Sequence, residues 1–504
     1  MTGTARDRPS AAEGLGPAAV AWGPVAVAAG ATFLVLMLFA ARYGYHRDEL
    51  YFLVAGRHPA WGYPDQPPLL PLLTRLMTEI APRSLTVLRI PAALSAAATV
   101  VLAALTAREM GGGRRAQTLT AALTAICPFV VAIGHTFYTA SPDLAVSTAL
   151  VWLAVRWVRT RDDRMLLAAG AVAGVALNIK YLAGFLLVGL VAGLLVSGPR
   201  EVVRRPLLWA GVAVAAALAA PSLVWQARHG WPQIGMAGKI ESQGAMAGRP
   251  GFLPFQVLLT GIVPSWLWIY GLWRLSRPGP LRAFRFLAWA YALLTVFFLV
   301  TGGKPYYLAG LWPALWAAGA VHVERRSAPR GWGWTLTRPA IAVLGLVTVA
   351  LTLPVYPVRV LHATPQPVIN VDAAEMVGWP RFTAQVAAVY HGLPDRARAT
   401  LLTGNYGEAG AIDRYGGKHG LPRAYSGHNG FWYFGRPPDS GGPTIVVGPE
   451  SADALLPYWT SVTVAGRVDN GVHLENQEQG KPIWVCRGQR MPWPELWPRL
   501  RHLG

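Results

Sequence analysis

The sequence predicts a mainly α fold, a polytopic transmembrane helical bundle of about eleven spans followed by an extracytoplasmic α/β domain. Of the 504 residues, 53% are hydrophobic and only 14% charged, whereas soluble domains carry about 25% charged residues. Stretches such as Val25–Ala41, Leu119–Ile133 and Phe185–Val196 contain no Asp, Glu, Lys or Arg. A spanning helix needs roughly 20 mostly apolar residues, and many windows approach that length. Residues 358–504 differ: they have mixed charge and no apolar run of spanning length.

Taken in order, the expected spans are 18–41, 85–107, 116–134, 144–158, 165–179, 181–198, 207–226, 254–273, 286–301, 305–321 and 339–357. The first is too long for the apolar region of a signal peptide, so it reads as a spanning helix. Residues 1–17 form an expected disordered cytoplasmic tail, mostly small and polar. Residues 18–357 form the transmembrane part, with a large first outer loop over 42–84. The final segment, 358–504, reads as a soluble α/β domain. Its strand signals are Thr444–Val447 and Val462–Val464, and its turn signal is Asp469-Asn470-Gly471.

The net charge of +20 does not mark a nucleic-acid binder, because the arginines lie in short groups between apolar segments. One set of alternate loops holds twenty basic residues, at Arg6, Arg8, Arg108, Arg114, Arg115, Arg156, Arg159, Arg161, Arg164, Arg200, Arg204, Arg205, Arg274, Arg277, Arg282, Arg285, Arg325, Arg326, Arg330 and Arg338. The opposite set, outside the final domain, holds eleven. Basic residues favour cytoplasmic loops, which predicts a multi-pass plasma-membrane protein with its N-terminus inside and residues 358–504 outside. Cys127, in an apolar span, and Cys486 form no disulfide framework or metal pattern.

Polar groups near membrane depth are costly and tend to be functional. The first outward loop reads Tyr45-His46-Arg47-Asp48-Glu49-Leu50-Tyr51-Phe52 and then Tyr63-Pro64-Asp65-Gln66-Pro67-Pro68-Leu69. A later one holds His135 and Ser141-Pro142-Asp143. Pro142 and Asp143 also suit a helix start, through a fixed φ and the helix dipole. Lys180 and Lys304-Pro305-Tyr306-Tyr307 occupy two further outward turns. Both lysines can snorkel to the interface, and they can also face a phosphate. Carboxylates that accept a proton, beside lysines that offset phosphate charge, suit a substrate with a phosphate leaving group.

These stretches, together with Lys304-Pro305-Tyr306-Tyr307, resemble the lipid-linked-sugar glycosyltransferases of the C-type membrane fold. The likeness is to bacterial glycosyltransferase family 39, the protein mannosyltransferase and aminoarabinose transferase group, and covers residues 18 to about 320. It implies transfer of a sugar from a polyprenyl-phosphate donor to an extracytoplasmic acceptor, usually with inversion. It makes Asp48 the expected catalytic base, with Glu49 supporting it and Asp143 holding an acceptor or a metal. It implies substrate-binding roles around Asp65, where aminoarabinose transferases often carry a glutamate-lysine pair and this chain has Asp65-Gln66. Lys180 or Lys304 would then supply the phosphate-facing charge, with Tyr306, Tyr307 and His135 beside them.

No cofactor is required by these motifs. A divalent metal is one option, with Asp48, Glu49, Asp143, His46 and His135 as ligands of suitable chemistry. The expected partners are the lipid donor, the acceptor and the bilayer. The alternative classes are a transporter or flippase, which also places polar groups in the membrane, and a non-catalytic scaffold.

Overall fold

The computed structural model describes residues 18–242, 248–326 and 332–504. The expected tail 1–17, with Arg6 and Arg8, and also Arg330 lie outside the described residues. The chain opens with α1 (Trp22–Phe39), α2 (Arg47–Ala55), α3 (Leu69–Ile80), α4 (Leu85–Glu109), α5 (Arg114–Ala125) and α6 (Pro128–His135). It continues with α7 (Ala140–Thr160), α8 (Arg164–Leu177), α9 (Leu182–Ser197), α10 (Pro206–Arg228), α11 (Pro232–Ser242), α12 (Gly248–Thr260) and α13 (Ile262–Ser276). The helical part closes with α14 (Phe286–Val300), α15 (Trp312–Arg326) and α16 (Trp332–Thr352).

Among the described residues, Trp22–Phe39, Leu85–Glu109, Pro206–Arg228 and Arg282–Val300 are long and apolar enough to cross a membrane. Two bent pairs raise that number to six, α5–α6 at 54° and α12–α13 at 112°. The eleven expected spans thus differ in form, and six of the described helices or bent helix pairs meet the length and composition of a crossing. The stretch 116–134 breaks where Pro128 opens a new helix, a position at which its missing N–H costs nothing. The stretch 254–273 folds back at Gly261, whose φ of +85° favours glycine. The stretch 305–321 starts as a 3₁₀ segment, Pro305–Leu311, before α15. Helices α8 and α9 and the segment Thr337–Thr352 are apolar but shorter than a straight crossing.

Helix α4 joins two polar ends of the bundle. It starts beside the loop 42–84 and rises about 37 Å to Glu109. There the buried Glu109 carboxylate pairs with Arg108, Arg156 and Arg159. All three arginines belong to the set expected on the cytoplasmic side. The loop 42–84 is itself structured, since α2 and α3 lie within it.

After α16 come α17 (Gln366–Ile369), α18 (Asp372–Glu375), α19 (Trp379–Gly392) and α20 (Tyr406–Tyr415). With them is a five-stranded sheet of β1 (Thr400–Thr403), β2 (Ala424–Ser426), β3 (Thr444–Val447), β4 (Trp459–Arg467) and β5 (Pro482–Gln489). The strand order is β2-β1-β3-β5-β4. Strands β2, β1 and β3 run parallel, and β5 and β4 add antiparallel. Every residue of β1 and β3 is buried, as expected for parallel strands covered on both faces. The strand Thr444–Val447 coincides with the sequence reading, and Val462–Val464 lies inside β4.

Candidate active site

The two helices that carry the site start in the same way. In α2, the His46 N–H donates to Glu49 Oε2 at 2.8 Å while the Asp48 N–H donates to His46 Nδ1 at 3.2 Å. In α20, Asn405 Oδ1 accepts from the Glu408 N–H and Glu408 Oε2 accepts from the Asn405 N–H. Such reciprocal caps satisfy the free N–H groups of the first turn and fix the residues inside it, Asp48 in one helix and Tyr406 in the other.

Asp48 is 28% exposed, and its Oδ1 accepts a 2.8 Å hydrogen bond from the Tyr406 hydroxyl. Asp65 accepts one from the Tyr51 hydroxyl, also at 2.8 Å. The rings of Tyr51 and Tyr406 lie 5.1 Å apart, so the two acid–phenol pairs stand side by side. Burial, then the carboxylate next to each, pushes both phenols well above the usual tyrosine range. They are therefore donors at any physiological pH. A third acid, Asp372 on α18, receives the Tyr138 hydroxyl at 3.3 Å and lies 3.8 Å from His46 Nε2.

The second half of the site is a pocket walled by Phe129, Asp143, Ser147, Tyr306 and Tyr307. Asp143 is 9% exposed, and its Oδ1 has no hydrogen-bond partner among the described residues. Lys180 Nζ is 5.2 Å from the ring centres of both Tyr306 and Tyr307, within cation–π reach. Tyr306 is within electrostatic reach of Lys304, Asp143, Asp372 and Asp48, and Tyr138 of Asp372, Tyr306 and Asp48. The structure thus brings Asp48, Asp65, Asp143, Lys180, Lys304, Tyr306 and Tyr307 to one end of the bundle. Gln66 is buried beside them, its Nε2 unpartnered among the described residues.

Glu49 and His135 lie behind the cleft, with Glu49 placed to support the helix that carries Asp48. Glu49 is fully buried and forms a bidentate pair with Arg89, both contacts at 2.8 Å. It also accepts the Phe137 N–H at 2.9 Å. His135 Nε2 lies 3.2 Å from Arg89 and 3.0 Å from the Phe39 carbonyl. Both side chains anchor the site from behind and neither faces it. The candidate metal set is not assembled either: no three His, Cys, Asp or Glu side chains gather at ligand spacing among the described residues. With Glu49 held by Arg89, the residues present do not fit a metal centre.

Arg89, Tyr406 and Asp372 escaped the sequence reading as site residues. Arg89 did leave a signal, being a charged side chain inside an apolar helix, which implies a partner. Tyr406 left no local signal of its role, because its contact with Asp48 spans 358 positions.

Asp65 yields a testable consequence. Burial pushes its carboxyl up to about 7, against the lowering effect of the Tyr51 hydrogen bond. The side chain is half-buried at the cleft wall. A raised carboxyl favours the neutral form in the folded state. Its contribution is therefore complete below the ordinary Asp range and is lost as pH rises through about 7. Between pH 5 and pH 8, the melting temperature of the wild type is expected to fall relative to Asp65→Asn. A gap that stays constant, or moves the other way, would refute the assignment.

Residues 65–225 match the family described as dolichyl-phosphate-mannose-protein mannosyltransferase. That segment includes Asp65, Asp143 and Lys180 but not Asp48 or Tyr306. The crystal structure of ArnT from Cupriavidus metallidurans bound to undecaprenyl phosphate is similar over 92% of this chain and 98% of that one, with 17% identity and a TM-score of 0.61. The apo form of the same protein is similar over 93% and 98%, with 18% identity and a TM-score of 0.62. At such identities the likeness shows a shared fold. No curated protein matches the chain by sequence.

Proposed function

We propose that the protein transfers a sugar from a polyprenyl-phosphate donor to a hydroxyl acceptor outside the cytoplasm, inverting the anomeric carbon, with Asp48 as base. The observation that carries this reading is the pairing of a partly exposed, oriented carboxylate at Asp48 with an adjoining pocket lined by Asp143, whose Oδ1 has no hydrogen-bond partner among the described residues, and by Tyr306 and Tyr307, the rings that Lys180 faces. The family match over residues 65–225 and the ArnT-like fold support it. So does the undecaprenyl phosphate bound by ArnT.

In the reaction, the acceptor oxygen attacks the anomeric carbon and its proton passes to the Asp48 carboxylate. The bond from that carbon to the phosphate oxygen breaks, and the electron pair leaves with the polyprenyl phosphate. Lys180 and Lys304 offset the charge on the departing phosphate. Asp65, protonated in part near neutrality, offers a further hydrogen bond to it. Asp143 accepts hydroxyls of the sugar or acceptor in the Tyr306–Tyr307 pocket. The polar groups cluster at one end of the bundle rather than midway along it, which favours transfer over transport.

The C-terminal domain packs on the loop that carries Asp48, so both lie on one side. The basic Glu109 cluster marks the other side, and the positive-inside rule makes that side cytoplasmic. The test uses the full chain in nanodiscs, given radiolabelled undecaprenyl-phosphate mannose, glucose, arabinose or aminoarabinose with envelope membranes. Label is expected to leave one of these lipids for a new product. Label that stays on every donor, as in a heat-killed control, would remove the transferase reading.

A further inference from the structure

The C-terminal domain supplies a side chain to the site, and the chain path explains why. From β1 the connection through α20 leads to β2 on one side, and the next strand, β3, lies on the other side of β1. In open α/β sheets, the carboxyl ends of the strands at such a reversal form the crevice where ligands bind. Here Gly404-Asn405-Tyr406 follows β1 and Gly427-His428 follows β2. That edge is turned onto α2.

The approach leaves no room for side chains. A Cβ on Gly407 would lie 2.7 Å from Arg47 Cβ, and one on Gly410 would lie 2.8 Å from the Leu50 backbone. One on Gly430 would lie 2.2 Å from the Tyr51 hydroxyl. With glycines at 407 and 410, one face of α20 rests directly on the first turn of α2.

Tyr406 is held firmly in that junction. Its ring lies 5.1 Å from Tyr51 and 4.8 Å from His428, with the Arg47 guanidinium 5.5 Å from its centre. Burial, then the nearby His502, pushes His428 down to about 3, so this neighbour is uncharged. The turn beneath Tyr406 is braced from behind. Glu408 Oε2 accepts the Gly404 and Asn405 N–H groups, and Glu478 accepts Asn405 Nδ2. Lys481 then bridges Glu408 and Glu478 at 3.2 and 3.0 Å.

We infer that Tyr406 is a positioning residue for Asp48. Its hydroxyl occupies Oδ1 and fixes the plane of the carboxylate, leaving Oδ2 for the acceptor hydroxyl. The C-terminal domain is thus part of the catalytic machinery, a cap whose ligand edge orients the base. This inference rests on the proposed role of Asp48.

The experiment compares Tyr406→Phe with the wild-type full chain in nanodiscs, using whichever labelled undecaprenyl-phosphate sugar the wild type consumes. Loss of a hydrogen bond to a charged group predicts a kcat about 10- to 100-fold lower. The donor KM should stay within about twofold, since the hydroxyl orients the base and does not bind lipid. In Asp48→Glu, whose carboxylate is displaced by one methylene, the same Tyr406→Phe change should cost less than about twofold, because coupled residues are not additive. Unchanged kcat, a KM defect as large as the kcat defect, or an equal loss in the Asp48→Glu background would each overturn the inference. A wild type that consumes no donor overturns the transferase reading, and this inference with it.

Discussion

Replacing Arg89 by leucine is expected to destabilise the folded protein by about 3–5 kcal/mol, the usual cost of breaking a buried ion pair from one side. Arg89 is 1% exposed and Glu49 fully buried. Besides its two bonds to Glu49, the guanidinium donates to the Ala40 and Gly44 carbonyls, each at 2.9 Å. Without it, the Glu49 carboxylate would face only the His46 and Phe137 N–H groups in a site closed to water. The double change Arg89→Leu with Glu49→Leu removes the stranded charge, so it should be clearly more stable than Arg89→Leu alone. Urea unfolding in a fixed detergent measures both. A single variant within about 1 kcal/mol of wild type, or a double variant no better than the single, contradicts the account.

The same knot shows why part of the site was legible in the sequence and part was not. Asp48, Asp65, Asp143 and the lysines announced themselves as polar residues next to apolar runs, and the fold gathers them. Glu49 carried the same signal, yet one position along a helix turns a side chain about 100°, enough to send it to Arg89 and not to the cleft. Arg89 lies in the expected span 85–107, and its partner Glu49 is 40 positions away, so no local pattern joins them. The breaks at Pro128 and Gly261 were visible as residues, but hydropathy windows average over them, so 116–134 and 254–273 each read as one span and the bend inside it did not show. Thr444–Val447 was legible because a short apolar run rich in β-branched residues suits a covered parallel strand. No local signal tells that the turn after β1 meets α2. That contact depends on how two regions far apart in sequence pack into one shared apolar cluster.

Asp48→Asn carries the largest expected effect on activity, a fall in kcat of about 10²- to 10⁴-fold. The amide is nearly isosteric, and its oxygen can still accept the Tyr406 hydroxyl, so the junction between α2 and α20 should remain and the melting temperature should hardly move. What the amide cannot do is take the acceptor's proton. The donor KM is expected to stay within about threefold, because the lipid phosphate is assigned to the lysine side of the site. Asp143→Asn provides the contrast. Its Oδ1 lines the pocket without a hydrogen-bond partner among the described residues, so losing its charge should weaken substrate binding more than turnover. A kcat for Asp48→Asn within about tenfold of wild type would remove Asp48 as the base. If Asp143→Asn instead lost more in kcat than Asp48→Asn, with KM preserved, the proton would have to leave toward the Tyr306–Tyr307 pocket. Tyr406 would then hold the Asp48 carboxylate for docking rather than for catalysis.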